Sequence, residues 1–211
     1  MNIKEHYWFF QSALSSKICD EILEYGKKNR KEIGTVEGKN LNNLKGKEKK
    51  KEINLLKKTR YSNVAWLNDP WIFKEIQPYI NLANKNAGWN FEWDWTESAQ
   101  FTIYGKKQHY GWHCDSSNET YNNPNNLDVH GKYRKLSVTV SLNDSSEYTG
   151  GDLEFDFRNR KPGENTVIKC LQIKPKGSIV VFPSFVWHRV TPVTKGTRYS
   201  LVMWNLGYPF K

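Results

Sequence analysis

From residue 98 onward the chain breaks into short runs of β-branched and aromatic residues separated by turn formers, and this rhythm restricts the possible fold more than any other feature. The runs are SAQFTIYG (98–105), KLSVTVSLN (135–143), GGDLEF (150–155), TVIKCLQI (166–173), GSIVVFP (177–183) and TRYSLVMWNL (197–206). In the second of them Leu136, Val138, Val140 and Leu142 alternate with Ser137, Thr139 and Ser141. Successive side chains on a strand point to opposite faces, so one face meets an apolar core and the other a wetter space. Many short strands behind a helical N-terminal part predict a mainly β protein with supporting helices (α+β). The expected architecture is a double-stranded β-helix, a cupin-like jelly roll, with N-terminal helices packed on its major sheet.

The first half reads differently. Leu14, Ile18, Ile22 and Leu23 recur at helical spacing, and Ser15 or Ser16 is a suitable cap, so a helix is expected near residues 16–29. A second is expected after Asp69, with Pro70 at its first position, running toward Gly88, where Pro78 introduces a kink or a break. Between them, residues 27–60 hold thirteen Lys or Arg against four Glu, which accounts for nearly all of the formal net charge of +10. The Lys-rich insertion at about 34–58 has too few apolar residues to bury a face, so it is expected as a flexible loop or lid. Its charge suits nucleic acid, an acidic protein or an anionic surface, and equally a solvated insertion with no partner. At 211 residues a single domain (1–211) is expected, with 1–97 carrying the helices and the insertion and 98–211 the β core.

Cys19, Cys114 and Cys170 are odd in number and widely spaced, without a C-x-x-C, which argues against a disulfide framework or a zinc knuckle. Lys4, Glu5 and His6 stand where a signal peptide needs an apolar run, and no stretch approaches the ~20 apolar residues of a membrane span. A soluble cytoplasmic protein is expected, and the sequence leaves its oligomeric state open.

The chemistry-bearing residues begin with HYGWHCDSS. His113 and Asp115 are two apart, so on an extended backbone both can reach one ion, although a lone H-x-D is a weak signal. A third ligand is available in VFPSFVWHRV, where His188 follows an apolar strand and a Pro-containing turn. Two imidazoles and one carboxylate form the facial set suited to iron(II), leaving three positions for a chelating co-substrate and O2. A structural zinc site would instead be closed by four ligands, usually with thiolates. Cys114 between the two ligands should turn away from the metal. Arg198, ten residues after His188, is a planar and permanently charged partner for the distal carboxylate of 2-oxoglutarate, better suited than Lys195. Ser200, on the same strand face, and Tyr104 can each donate to that carboxylate or serve as satisfied polar residues inside the barrel. His109 shares the parity of His113, but Gly105 and Gly111 point to irregular backbone there; His6 and His130 fall in loop or surface contexts. Trp112, Trp187 and Trp204 bracket the site, as core packing or as pocket lining.

Taken together, Tyr104, His113-Cys114-Asp115, RKLSVTVSLN, GGDLEF and KGSIVVFPSFVWHRVTPVTKGTRYSLVMWN closely resemble the prolyl 4-hydroxylase-like and PKHD-type 2-oxoglutarate/Fe(II) dioxygenases over roughly residues 98–207. FQSALSSKICDEIL resembles the first helix of these enzymes. The resemblance implies a double-stranded β-helix, iron held by His113, Asp115 and His188, and 2-oxoglutarate held by Arg198 with Tyr104. It also implies consumption of O2, with ascorbate as a reductant, and hydroxylation of a protein or peptide, possibly at proline. Collagen-type prolyl hydroxylases carry Lys where Arg198 stands, which places this chain nearer the PKHD-type and oxygen-sensing branches. Related halogenases lack the carboxylate that Asp115 supplies, which favours hydroxylation. The Lys-rich insertion and the Asn-rich loop 116–131 match no family motif.

Two other readings compete. A nucleic-acid demethylase of the same chemistry is motivated by the lysines, but such enzymes normally have a second Arg six residues beyond the co-substrate Arg, where this chain has Trp204. A catalytically inactive jelly-roll binding module belongs to another class, and iron-dependent turnover of 2-oxoglutarate separates it from an enzyme.

Overall fold

The computed structural model describes residues 5–35, 41, 43–157 and 166–210. In chain order they form β1 (Trp8–Phe10), α1 (Ser16–Lys28), β2 (Glu32–Ile33), α2 (Gly46–Thr59), β3 (Arg60–Tyr61), β4 (Asn63–Leu67) and α3 (Pro70–Asn86). The second half holds β5 (Trp95–Thr96), β6 (Ala99–Tyr104), β7 (His109–His113), β8 (Tyr133–Ser141), β9 (Tyr148–Gly150) and β10 (Leu153–Asp156). It ends with β11 (Val167–Lys169), β12 (Ile179–Pro183), β13 (Trp187–Val190), β14 (Val193–Gly196) and β15 (Arg198–Gly207).

Two antiparallel sheets face each other as a double-stranded β-helix. The major sheet runs β1-β12-β8-β15-β6-β4-β2, with β5 also paired to β15; the minor sheet runs β11-β10-β13-β7-β3. The alternation in β8 works as its pattern demands. Leu136, Val138, Val140 and Leu142 join the large core with Cys19, Ile22 and Leu23 of α1 and Ile72, Ile76, Ile80 and Ala83 of α3. Ser137 on the opposite parity hydrogen-bonds inside the barrel. The helices therefore pack on the outer face of the major sheet, and burial of this apolar surface is the main force holding them there. A second cluster of Leu153, Phe155, Cys170, Ile173, Val180, Phe182 and Val186 packs beside the minor sheet.

Ser15 caps α1 by accepting from the Ile18 amide, and α3 starts at Pro70 after Asp69. Pro78 lies inside α3 without dividing it. Gly26 of α1 lies directly over Phe101 of β6, where any Cβ would press into the ring.

Several expectations need correction. Residues 46–59 of the Lys-rich insertion are not a loop but helix α2. Lys and Glu are good helix formers, and the one buried residue, Leu56, suffices to seat the helix beside β3 and β7. Residues 36–40 and 42 of the same insertion lie outside the described residues. TVIKCLQI is a strand only at Val167–Lys169; Leu171–Ile173 form a 3-10 turn that places Cys170 and Ile173 in the core. GGDLEF is divided by Gly150 and Gly151, with φ of +77° and +60°, so β9 ends where β10 has yet to begin. Residues before 98 supply strands as well as helices: β4 and β2 extend the major sheet and β3 edges the minor one. No helix among the described residues is long and apolar enough to cross a membrane.

Candidate active site

β7 and β13 are neighbours in the minor sheet, and His113 and His188 are direct cross-strand partners. Their rings face one another with centroids 4.1 Å apart. Asp115 follows just beyond β7, tethered by its amide and that of Ser116 to the Ser184 carbonyl. Its carboxylate stands 3.6 Å from His113 Nε2 and 3.5 Å from His188 Nε2. All three donor atoms lie within 4.8 Å of one another.

Ring orientation is set from behind. His113 Nδ1 donates to the Gly111 carbonyl at 2.8 Å and His188 Nδ1 to the Val186 carbonyl at 2.9 Å, so each Nε2 keeps its lone pair for the shared centre. Burial, and next the neighbouring His188, push the His113 imidazole down to about 3, which keeps it neutral. Burial pushes Asp115 upward, but the neighbouring His188, His113 and Arg134 and the Ser137 hydrogen bond outweigh it and hold the carboxyl down at about 2. Ser137 Oγ donates to Asp115 Oδ2 at 2.7 Å and shares a 2.9 Å bond with Ser184 Oγ. Two imidazoles and a carboxylate with separations near 3.5 Å suit cis positions on one ion, which stand about 3 Å apart for bonds of ~2.1 Å. The oxygen and nitrogen donors, half open to a cavity, fit ferrous iron with exchangeable positions better than a closed structural zinc.

That cavity extends from the triad between the sheets to Arg198, with Tyr104, Tyr110, Phe182, Val190, Ser200 and Trp204 among its walls. Arg198 of β15 pairs with Tyr104 of β6, and its guanidinium carbon is 5.5 Å from the Tyr104 ring centre. Ser200 lies on the same face, as expected, but accepts a 3.2 Å bond from Arg198. It thereby orients the guanidinium, and its own hydroxyl hydrogen remains available. All six residues singled out from the sequence (Tyr104, His113, Asp115, His188, Arg198 and Ser200) meet in this one cavity.

The remaining candidates separate. His109 is not among the converging donors; its Nδ1 bonds the Lys107 carbonyl. The register between β13 and β7 shifts between His188↔His113 and Val190↔Tyr110, an irregularity that breaks simple parity and turns Tyr110 to the cavity. Tyr110 then stacks on His113 with centroids 3.5 Å apart. His6 stacks on Phe157, and His130 Nδ1 accepts from the Asn123 amide. Cys114 turns to the Phe185 carbonyl, with its Sγ 3.2 Å away. Of the three tryptophans, Trp204 is both buried and cavity-lining, and the Arg134 guanidinium covers its ring at 3.9 Å. Sequence reasoning missed Tyr110, Ser137, Ser184 and Arg134. Ser137 carried a signal in the polar parity of β8; Gly111 marked irregular backbone beside Tyr110 without saying which way the ring turns, and Arg134 carried no signal because its place depends on the Glu97 ion pair.

A jelly roll with an open His-Asp-His centre opposite a buried arginine defines a non-haem metal oxygenase scaffold. The chain belongs to the 2OG-Fe(II) oxygenase superfamily, whose family model matches residues 99–205. Members of this superfamily use Fe(II), 2-oxoglutarate and O2. A PKHD-type hydroxylase of Alteromonas mediterranea is 35% identical over 106 residues, which cover 49% of this chain and 41% of that protein. One of Hyphomonas neptunium is 43% identical over 70 residues, covering 33% of this chain and 27% of the relative. The matches thus span less than half of these curated relatives. Among solved structures, the viral collagen prolyl hydroxylase of Paramecium Bursaria Chlorella virus-1 shares the fold, with a TM-score of 0.63, 17% identity and 97% coverage of both chains. A Pseudomonas putida prolyl-4-hydroxylase has a TM-score of 0.59 and 16% identity, covering 96% of this chain and 92% of its own.

Proposed function

We propose that this chain, acting as one domain, is an Fe(II)- and 2-oxoglutarate-dependent hydroxylase of a protein or peptide, with a prolyl side chain as the favoured target. The observation that carries the reading is the joint placement of three metal-type donors and the Arg198 guanidinium at two ends of one cavity. His113, Asp115 and His188 would hold the iron, and Arg198 with Tyr104 would hold the far carboxylate of the co-substrate. When bound, iron and 2-oxoglutarate supply with O2 the oxidising power for C–H hydroxylation, releasing succinate and CO2.

The chain's own work is orientation and exclusion of water. The Gly111 and Val186 carbonyls hold both imidazoles in the tautomer that offers Nε2. Ser137 holds the carboxylate, Ser200 holds the guanidinium, and Phe182, Val190 and Leu153 keep the cavity between them apolar. The peptide target is supported by the named relatives, among them a Trichoplax adhaerens prolyl hydroxylase solved with a hypoxia inducible factor peptide fragment, TM-score 0.59 and 18% identical. A cytoplasmic setting with ascorbate as reductant belongs to the same reading.

A nucleic-acid substrate is the second reading, favoured by the exposed Lys47, Lys50, Lys51 and Lys58 of α2. The first test is conversion of 2-oxoglutarate to succinate under air, dependent on iron and lost in His188→Ala. Iron binding without turnover would instead mark a binding module. Incubation with peptides and with oligonucleotides, followed by mass spectrometry for one added oxygen or a lost methyl group, decides between the two substrate classes.

A further inference from the structure

The positive charge of the chain is densest on α2, which carries six Lys against two Glu and buries only Leu56. Lys47, Lys51, Asn54 and Lys58 stand at i, i+4, i+7 and i+11, so a helix of 3.6 residues per turn brings them into one stripe, and all four are exposed. Leu55 lies beside that stripe, one turn from both Lys51 and Lys58, and is 52% exposed. Like charges one turn apart repel, and nothing in the packing of α2 requires them. Gln or Ala would serve the helix as well.

The helix is seated at the catalytic edge of the minor sheet. It runs directly into β3, whose Arg60 and Tyr61 pair with Tyr110 and His109 of β7, the strand that ends at His113. At Gly111 the approach is so close that a Cβ would stand 3.1 Å from the Thr59 carbonyl oxygen. A partner held along α2 is therefore held beside the strand that carries a metal-type donor.

Charge alone suits any polyanion, but the rest of the face is selective. Nucleic-acid strands are gripped by Arg and by aromatic platforms on which bases stack. No Arg and no aromatic ring is exposed on α2; just beyond it, Arg60 is buried and Lys57 lies over the Tyr61 ring. A membrane surface is met by a broad apolar face, whereas Leu55 is the one large apolar side chain exposed on this helix. From Lys47 to Lys58 the stripe is about 16 Å long, the span of about five residues of extended chain. Lys47 and Lys51 stand about 6 Å apart along the axis, close to the ~6.6 Å between side chains two apart on an extended strand. That spacing matches carboxylates at alternate positions of a short acidic peptide.

We propose that the face of α2 formed by Lys47, Lys51 and Lys58 is a docking surface for an extended acidic polypeptide segment, one that flanks the residue entering the cavity. The flanking role rests on the reading of the cavity as a hydroxylase site; the docking does not.

The test is fluorescence anisotropy of a labelled peptide of alternating Glu and Ser, titrated with the full chain, with a Gln-for-Glu peptide as the neutral control. The native protein should bind the acidic peptide and not the neutral one, and the difference should fade as salt shortens the Debye length below ~10 Å. The combined variant Lys47→Gln, Lys51→Gln, Lys58→Gln should bind about tenfold more weakly. Lys74→Gln, Lys85→Gln, Lys106→Gln removes the same charge from exposed positions elsewhere and should change affinity by less than about twofold. Gln is a good helix former, so both variants should melt like the native chain. Absence of binding by the native protein, or equal losses in the two variants, overturns the proposal. Tighter binding of a thymidine oligonucleotide of the same charge, or of phosphatidylserine vesicles, overturns it in favour of that partner. In turnover at limiting peptide, prolyl peptides flanked by Glu should be oxidised about tenfold faster than those flanked by Gln. The α2 variant should lose that preference while keeping its uncoupled conversion of 2-oxoglutarate to succinate. No preference in the native protein removes the flanking role. If the native protein turns over no 2-oxoglutarate at all, the hydroxylase reading fails instead, and the anisotropy still decides the docking.

Discussion

Ser137 shows how much of this site depends on a residue that touches no ligand. Its hydroxyl gives Asp115 a 2.7 Å charge-assisted hydrogen bond and is itself steadied by Ser184. Ser137→Ala should leave the fold intact and weaken Fe(II) affinity by roughly 10-fold or more, read by competition with a chromogenic chelator. The imidazoles make a complementary prediction for the metal-free protein. Burial holds His113 at about 3, against 6.5 for an unperturbed histidine. Between those values the unfolded chain takes up a proton that the folded site refuses, so stability must fall as pH falls, by up to about 1.4 kcal/mol per unit. Asp115, at about 2 against an ordinary 3.8, adds a loss of the same sign once pH drops below the ordinary carboxylate value. Thermal melts of metal-free protein from pH 7 to 4 should therefore decline more steeply for the native chain than for His113→Gln. His113, His188 and Arg198 could be picked out in the sequence because residue type and strand context suffice for them. Tyr110 could not, since it reaches the cavity only through the shift in register between β13 and β7.

At the level of elements, α1 and β6 meet at Gly26. Exchanging Gly for Ala inside a helix normally stabilises by about 0.5–1 kcal/mol. Here the added methyl would drive into the Phe101 ring, itself fully buried under α1 and stacked on Tyr199. Overpacking of a filled core costs about 1–3 kcal/mol, so Gly26→Ala should be net destabilising in urea melts. A gain would mean that the helix can lift from the sheet without loss. The same contrast explains which elements the sequence revealed. β8 and β15 are nine and ten residues long in the sheet centre, so the strand period shows in their sequence, whereas β12 is buried on both faces and reads as a short continuous apolar run. β2, β3 and β5 are two residues each, too short for any period to form. α2 was hidden for the opposite reason: a helix that buries only Leu56 carries no apolar stripe, and its lysines read as a solvated coil. In β7 the register is irregular between Tyr110 and His113, around the Gly111 that points to irregular backbone in the sequence, so simple parity does not hold there.

For the molecule as a whole, the proposed ligands come from two different sheets. The metal donors stand on or beside β7 and β13 of the minor sheet, whereas Arg198 and Tyr104 stand on β15 and β6 of the major sheet. Iron alone would tie together two strands of one sheet and the loop after β7; iron with 2-oxoglutarate would join the sheets through one chelated molecule. Linkage then fixes the order of effects. A ligand at 100 times its Kd stabilises by about 2.7 kcal/mol, and in a chain of this length each kcal/mol is worth about 2–4 °C in Tm. Fe(II) under anaerobic conditions should therefore raise Tm by roughly 5–10 °C at such a concentration, and chelation should reverse the gain. Added 2-oxoglutarate should produce a further rise only when the metal is present, because its chelating end has no partner otherwise. In His188→Ala both increments should shrink together, and in Arg198→Ala the first should survive while the second is lost. A rise with 2-oxoglutarate that is equal in metal-free and metal-loaded protein would show that the acid is held at Arg198 alone, and that the two sheets are not joined through the metal.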